Sequence, residues 1–101
     1  MSPGAWPYIV LVEVVAAVRR RTADKELALK IKKELLSAGS VNFTIVDPEA
    51  ALEASDIAIE TGMRGMDAIV VQTAKEYGTS LVSLDKEIIS KATGIVKIRE
   101  L

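Results

Sequence analysis

The run Gly65-Met66-Asp67-Ala68-Ile69-Val70-Val71-Gln72-Thr73-Ala74, followed beyond Gly78 by Leu81-Val82-Ser83-Leu84-Asp85-Lys86-Glu87, decides how this chain folds. Gly62 and Gly65 bracket a short loop, and Asp67 then opens an apolar stretch that reads as a helix over 67–77, closed by Gly78. Residues 81–84 carry few polar side chains, as does a strand of a parallel sheet covered on both faces. Asp85 ends that strand and opens a brief helix over 85–92, and Gly94 turns the chain into a last strand over 95–98. Strands separated by helices need crossover connections, and crossovers join parallel neighbours.

The segments upstream extend the same pattern. Val41, Phe43 and Ile45 alternate with Asn42 and Thr44, the period of two that marks a strand over 41–46. Asp47-Pro48 reads as an N-cap and a first-turn proline, opening a helix that runs to Thr61. Over 24–38, Leu27, Ala28, Ile31, Leu35 and Leu36 recur at helical spacing, with Lys25, Lys32, Lys33 and Glu34 outside and Gly39 as the stop. Residues 8–21 combine the β-branched content of a strand with the length, Ala16, Ala17 and closing Arg19, Arg20 and Arg21 of a helix. A helix buried on most of its circumference is the reading adopted, with Pro7 at its first position and residues 1–6 irregular. The expected architecture is α/β, one domain over 1–101, with a short parallel sheet of about three strands.

Composition narrows the chemistry. Half of the 101 residues are hydrophobic but only 4% are aromatic, so Val, Ile, Leu and Ala must build the core. Thirteen basic residues against 14 acidic ones leave a net charge of -1, which argues against a strongly basic nucleic-acid coat while allowing a local patch. Cys and His are both absent, which removes disulfides, thiol nucleophiles, Ser-His-Asp relays and His/Cys zinc sites. Chemistry must rest on carboxylates, Lys, Arg, hydroxyls and backbone amides, and the accessible metals are hard, oxygen-seeking cations. The apolar run over 8–18 is interrupted by Glu13 and falls well short of the roughly 20 residues that span a bilayer. A soluble cytoplasmic protein without membrane contact is expected.

Three acids stand out. Glu13 is the only charged residue between Tyr8 and Val18. A buried carboxylate costs several kcal/mol, on the order of magnitude, unless paired, protonated or bound to a cation. It is therefore either an ion-pair partner, for instance of Arg20, or a site residue. Asp67 at a helix start is either a cap or a ligand. Asp85 has the same two readings, with the added weight that ligands of open parallel sheets bind beyond the carboxyl ends of strands.

The quoted segments resemble the carboxy-terminal half of PIN domains, most closely the toxins of VapBC toxin–antitoxin pairs. The likeness lies in the glycine-rich turn, the Asp67-Ala68 that opens an apolar helix, and the hydroxyl-x-Asp of Ser83-Leu84-Asp85. Leu11-Val12-Glu13-Val14-Val15-Ala16-Ala17-Val18-Arg19-Arg20 resembles the family's second acidic motif. The resemblance implies a PIN-like three-layer fold and a Mg²⁺- or Mn²⁺-dependent endoribonuclease, with Glu13, Asp67 and Asp85 as metal-binding catalytic residues. It also implies a supporting role for Ser83, a further acid in Glu87, an RNA substrate and a VapB-like antitoxin as partner. Arg20 and Arg64 become candidate RNA contacts. The family's first acid ends its first, central strand, whereas residues 1–12 hold no Asp or Glu. The chain is thus expected to match the last two-thirds of the domain, truncated at the amino terminus.

That departure motivates a competing expectation, a non-catalytic PIN remnant that binds a partner or itself. Unpaired sheet edges would also favour a homodimer or larger assembly. A third class, a receiver-like switch with Asp47 at its centre, lacks the acidic pair after the first strand, and Pro48 already explains Asp47 as a cap. Glu49, Glu53, Asp56 and Glu60 recur at helical spacing and read as a solvated face.

Overall fold

A computed structural model describes residues 4–39, 41–82 and 86–99. Their elements run β1 (Gly4–Pro7), α1 (Tyr8–Thr22), α2 (Lys25–Ser37), β2 (Val41–Thr44), α3 (Pro48–Thr61), α4 (Gly65–Glu76), β3 (Leu81–Val82), α5 (Lys86–Ala92) and β4 (Ile98–Arg99). The class is α/β as expected, mostly helical with short parallel strands. Among the described residues the strands form two parallel pairs, β1 with β2 and β3 with β4. Gly4 lies opposite Val41 and Pro7 opposite Thr44 in the first pair. Leu81 lies opposite Ile98 in the second.

The helix starts follow local chemistry. The Asp47 carboxylate accepts the Ala50 N–H at 2.8 Å and Pro48 occupies the first turn of α3, as the sequence requires. Asp47 is therefore a cap, which disposes of the receiver reading. Asp24 caps α2 in the same way, accepting from the Leu27 N–H at 3.0 Å. Helix α3 ends at Gly62, whose φ of 70° lets its N–H return to the Ala58 carbonyl at 2.8 Å. Only glycine adopts that backbone without strain, and the turn it makes swings the chain into α4.

The core sits where α3, α4, β3 and α5 meet. Ile57, Met63, Ala68, Val71, Leu81 and Ala92 are buried there, with Ile88, Ile95 and Ile98 packed around them. Small residues at Ala50, Ala54, Ala68 and Ala74 are buried and suit close approach of α3 to α4. Lys75 reaches across the same interface to Glu53 at 3.6 Å, so one member of the acidic stripe ties two helices together while Glu49, Asp56 and Glu60 face solvent.

Three expectations need correction. Residues 4–7 form a strand and are not irregular, and Pro7 precedes the first helical residue rather than being it. The last strand begins at Ile98, because the N–H groups of Ile95 and Val96 both turn back to the Ala92 carbonyl. Helix α1 contains no buried residue. Its main packing is against α2 and β1, which leaves Val12 63% exposed.

Candidate functional site

Asp67 occupies the first turn of α4, where the unpaired N–H groups and helix dipole favour a carboxylate. It does not cap the helix: the N-cap position belongs to Arg64, which has no side-chain capping bond. The Asp67 carboxylate instead faces the Arg64 guanidinium at 3.6 Å. Asp67 is 23% exposed and Arg64 84%, so the carboxylate is reachable and its partner is held loosely. An exposed pair of this kind is worth about 0–1 kcal/mol.

Glu87, in the first turn of α5, lies beside the same opening. Asp67, Glu87, Arg64 and Lys91 line a cavity of about 40 Å³ whose floor includes Met63 and Ile88. Lys91 donates to the Glu87 carboxylate at 2.6 Å. Two carboxylates therefore meet two cations at the junction of the α3–α4 turn and α5. The signal for Glu87 lay in its position two residues past Asp85. The sequence signal for Lys91 is its i,i+4 spacing from Glu87, and its place at the cavity comes from the turn at Gly62 beside it.

Glu13 lies on the exposed side of α1 and does not line this cavity. The expectation of a buried, costly carboxylate fails for a physical reason: α1 has too few neighbours to desolvate it. No ion pair joins Glu13 to Arg20 among the described residues; Arg20 is exposed in the last turn of α1. Ser83 and Asp85 lie outside the described residues. Among the described residues no three acids stand close enough to share a metal ion.

The donor set present is chemically suited to a hard cation. Asp67 and Glu87 offer carboxylate oxygens, the ligands that Mg²⁺ and Mn²⁺ prefer. The cavity exceeds the roughly 30 Å³ that one water takes in the liquid. Arg64 is exposed enough to swing aside and release Asp67. These residues would hold such an ion through two oxygens, with the remaining positions filled by water or by another acid.

A second feature escaped the sequence reading. Tyr8, Phe43 and Tyr77 line one cleft of about 770 Å³ with Asn42 and Asp47, beside the carboxyl ends of β1 and β2. Tyr8 and Phe43 stack with ring centroids 5.3 Å apart. Aromatics are so scarce in this chain that three of the four converging on one surface is the only available hint, and it appears only after folding.

The sequence profile of the PIN domain matches residues 3–94. That span runs from before β1 to beyond α5, and the chain belongs to the PIN domain family. No curated protein and no solved structure matches the chain. No helix among the described residues is long and apolar enough to cross a membrane.

Proposed function

We propose that the chain is a PIN-type, VapC-like endoribonuclease that depends on Mg²⁺ or Mn²⁺ and leaves a 3′-hydroxyl and a 5′-phosphate. The observation that carries this reading is Asp67: an accessible carboxylate at a helix start, beside a second acid, on the segment matched to a nuclease family. Glu13 and Asp85 complete the acidic set, Ser83 supports Asp85, and Glu87 adds a fourth carboxylate. Arg20 and Arg64 hold phosphates of the RNA, Arg64 doing so once it leaves Asp67. A divalent cation, when bound, supplies the charge that lets neighbouring carboxylates share one site, and it activates water and neutralises developing charge on the phosphate.

A fluorescently labelled single-stranded RNA incubated with the protein and Mn²⁺ tests the reading. The wild type is expected to cleave it, and Asp67→Asn and Asp85→Asn each to lose roughly 100-fold or more of that rate. Absence of wild-type cleavage in both Mn²⁺ and Mg²⁺, or full activity in Asp85→Asn, defeats the proposal.

One observation favours the alternative of a non-catalytic PIN interaction module. Both carboxylates at the cavity already have a cation partner, Arg64 for Asp67 and Lys91 for Glu87. Under either reading we infer self-association and a VapB-like protein partner. The support is an apolar groove of about 520 Å³ between α1 and α2, lined by Leu11, Val12, Val15, Ala28 and Leu29. Exposed apolar side chains gathered in one groove, Val12 and Leu29 among them, are the kind of surface that subunit and partner contacts cover.

A further inference from the structure

Helix α3 carries more apolar surface than its core side uses. Ala50, Ala54 and Ile57 are buried on that side. At 3.6 residues per turn Leu52 and Ile59 fall on the opposite side, where they are 69% and 79% exposed. They are two turns apart and almost in line, separated by about 10.5 Å along the helix axis. Glu49 and Asp56, with the same spacing, run beside them and are exposed. Neither acid has an ion-pair partner among the described residues, whereas Glu53 is held by Lys75.

The groove between α1 and α2 is the complement of that face. Its floor is apolar, and the charged residues that line it, Arg19, Lys25 and Lys32, are all basic. None of the three is in an ion pair among the described residues. Lys25 and Lys32 stand two turns apart on α2, so cations repeat along the groove with the spacing of the acids along α3. Val12 and Leu29 of the groove are exposed, and so are Leu52 and Ile59, which means that the chain's own α3 does not fill it.

We propose that the outer face of α3 of one copy seats in the α1–α2 groove of a second copy. Leu52 and Ile59 enter the apolar floor while Glu49 and Asp56 meet Lys25 and Lys32 at the rim. The proposal rests on the self-association inferred above and names the two surfaces that make it. A basic rim around an apolar floor accepts an acidic helix with an apolar line, and every molecule that brings the groove also brings such a helix. Packed helices lie about 8–10 Å apart, close enough for α3 to touch both walls at once. Affinity comes from the apolar side chains, because ion pairs exposed to water are weak; the charges select the partner and set the register. Groove and helix are different patches of one surface. The contact closes when each of two copies seats its α3 in the other's groove, and otherwise extends head to tail.

A charge swap read by light scattering of the intact chain tests this. The rim variant carries Lys25→Glu with Lys32→Glu, and the helix variant carries Glu49→Lys with Asp56→Lys. In each alone, like charges face each other across the contact, and association is expected to weaken at least about 10-fold from wild type. Mixed in equal amounts, the two variants restore opposite signs in both pairings, and association is expected to return to within about 3-fold of wild type. Leu52→Ser with Ile59→Ser is expected to weaken it at least about 10-fold through lost apolar burial. All six positions are exposed, so circular dichroism and the thermal midpoint of each variant are expected to match wild type. Full association of either charge variant alone, of the Leu52–Ile59 variant, or no recovery in the mixture overturns the proposal. In those cases another surface joins the copies, and self-association itself stands. A monomeric wild type overturns both.

Discussion

Asp67 stands beside two positive charges, the α4 amino terminus and the Arg64 guanidinium; both favour its carboxylate, and any cation would have to displace the second. Because the Arg64 contact is long and exposed, Arg64→Ala is expected to change stability by less than about 1 kcal/mol in urea unfolding. The same substitution should weaken RNA binding if Arg64 holds a phosphate, with the effect fading as salt rises. Unchanged RNA affinity at low salt would remove Arg64 from the site. Asp47 makes the complementary case of a carboxylate with a purely structural task. Asp47→Ala removes the bond to the Ala50 N–H and is expected to cost about 1 kcal/mol of stability without altering metal affinity. A change in metal affinity would show that more than a cap has been lost.

At the scale of elements, the α3–α4 hairpin is the structural base of the cavity. Val71 has no exposed surface, and Val71→Ala is expected to cost about 2 kcal/mol from lost burial and the space left behind. Gly62→Ala forces a side chain into the left-handed region at the turn that leads into α4, with an expected cost of about 1 kcal/mol by thermal unfolding. Helices α2, α3 and α4 were legible in the sequence because each pairs an amphipathic or apolar run with an explicit start or stop, such as Asp24, Asp47-Pro48 and Gly62. Strand β1 was not, since four residues that begin with Gly and end with Pro carry no readable period. The burial expected of α1 fails because hydrophobicity does not by itself make contact; the number of neighbours sets it. Of the candidate site, Asp67 was legible from its glycine-flanked helix start. Its pairing with Arg64 and that of Lys91 with Glu87 are one-turn pairs that spacing allows, whereas the meeting of the two pairs at one cavity depends on how α4 and α5 pack.

Across the whole molecule, two apolar surfaces stand out among the described residues: the groove between α1 and α2, and the cavity lined by β1, α4 and Leu81. The first is expected to be covered by a second copy, giving a mass above that of the 10.9 kDa monomer in light scattering at micromolar concentration. A monomeric mass that persists at higher concentration would refute this, and Val12→Glu on the groove should favour the monomer if the assembly is real. The nuclease reading requires a further meeting of distant parts, since Glu13 on α1, Asp67 on α4 and Asp85 beyond β3 must serve one cation. Calorimetric titration of Mn²⁺ into the wild type and into Glu13→Gln, Asp67→Asn and Asp85→Asn measures that meeting directly. One saturable site is expected in the wild type, weakened at least about 10-fold in each variant. No saturable binding at millimolar Mn²⁺, or wild-type affinity in Asp67→Asn, would contradict it.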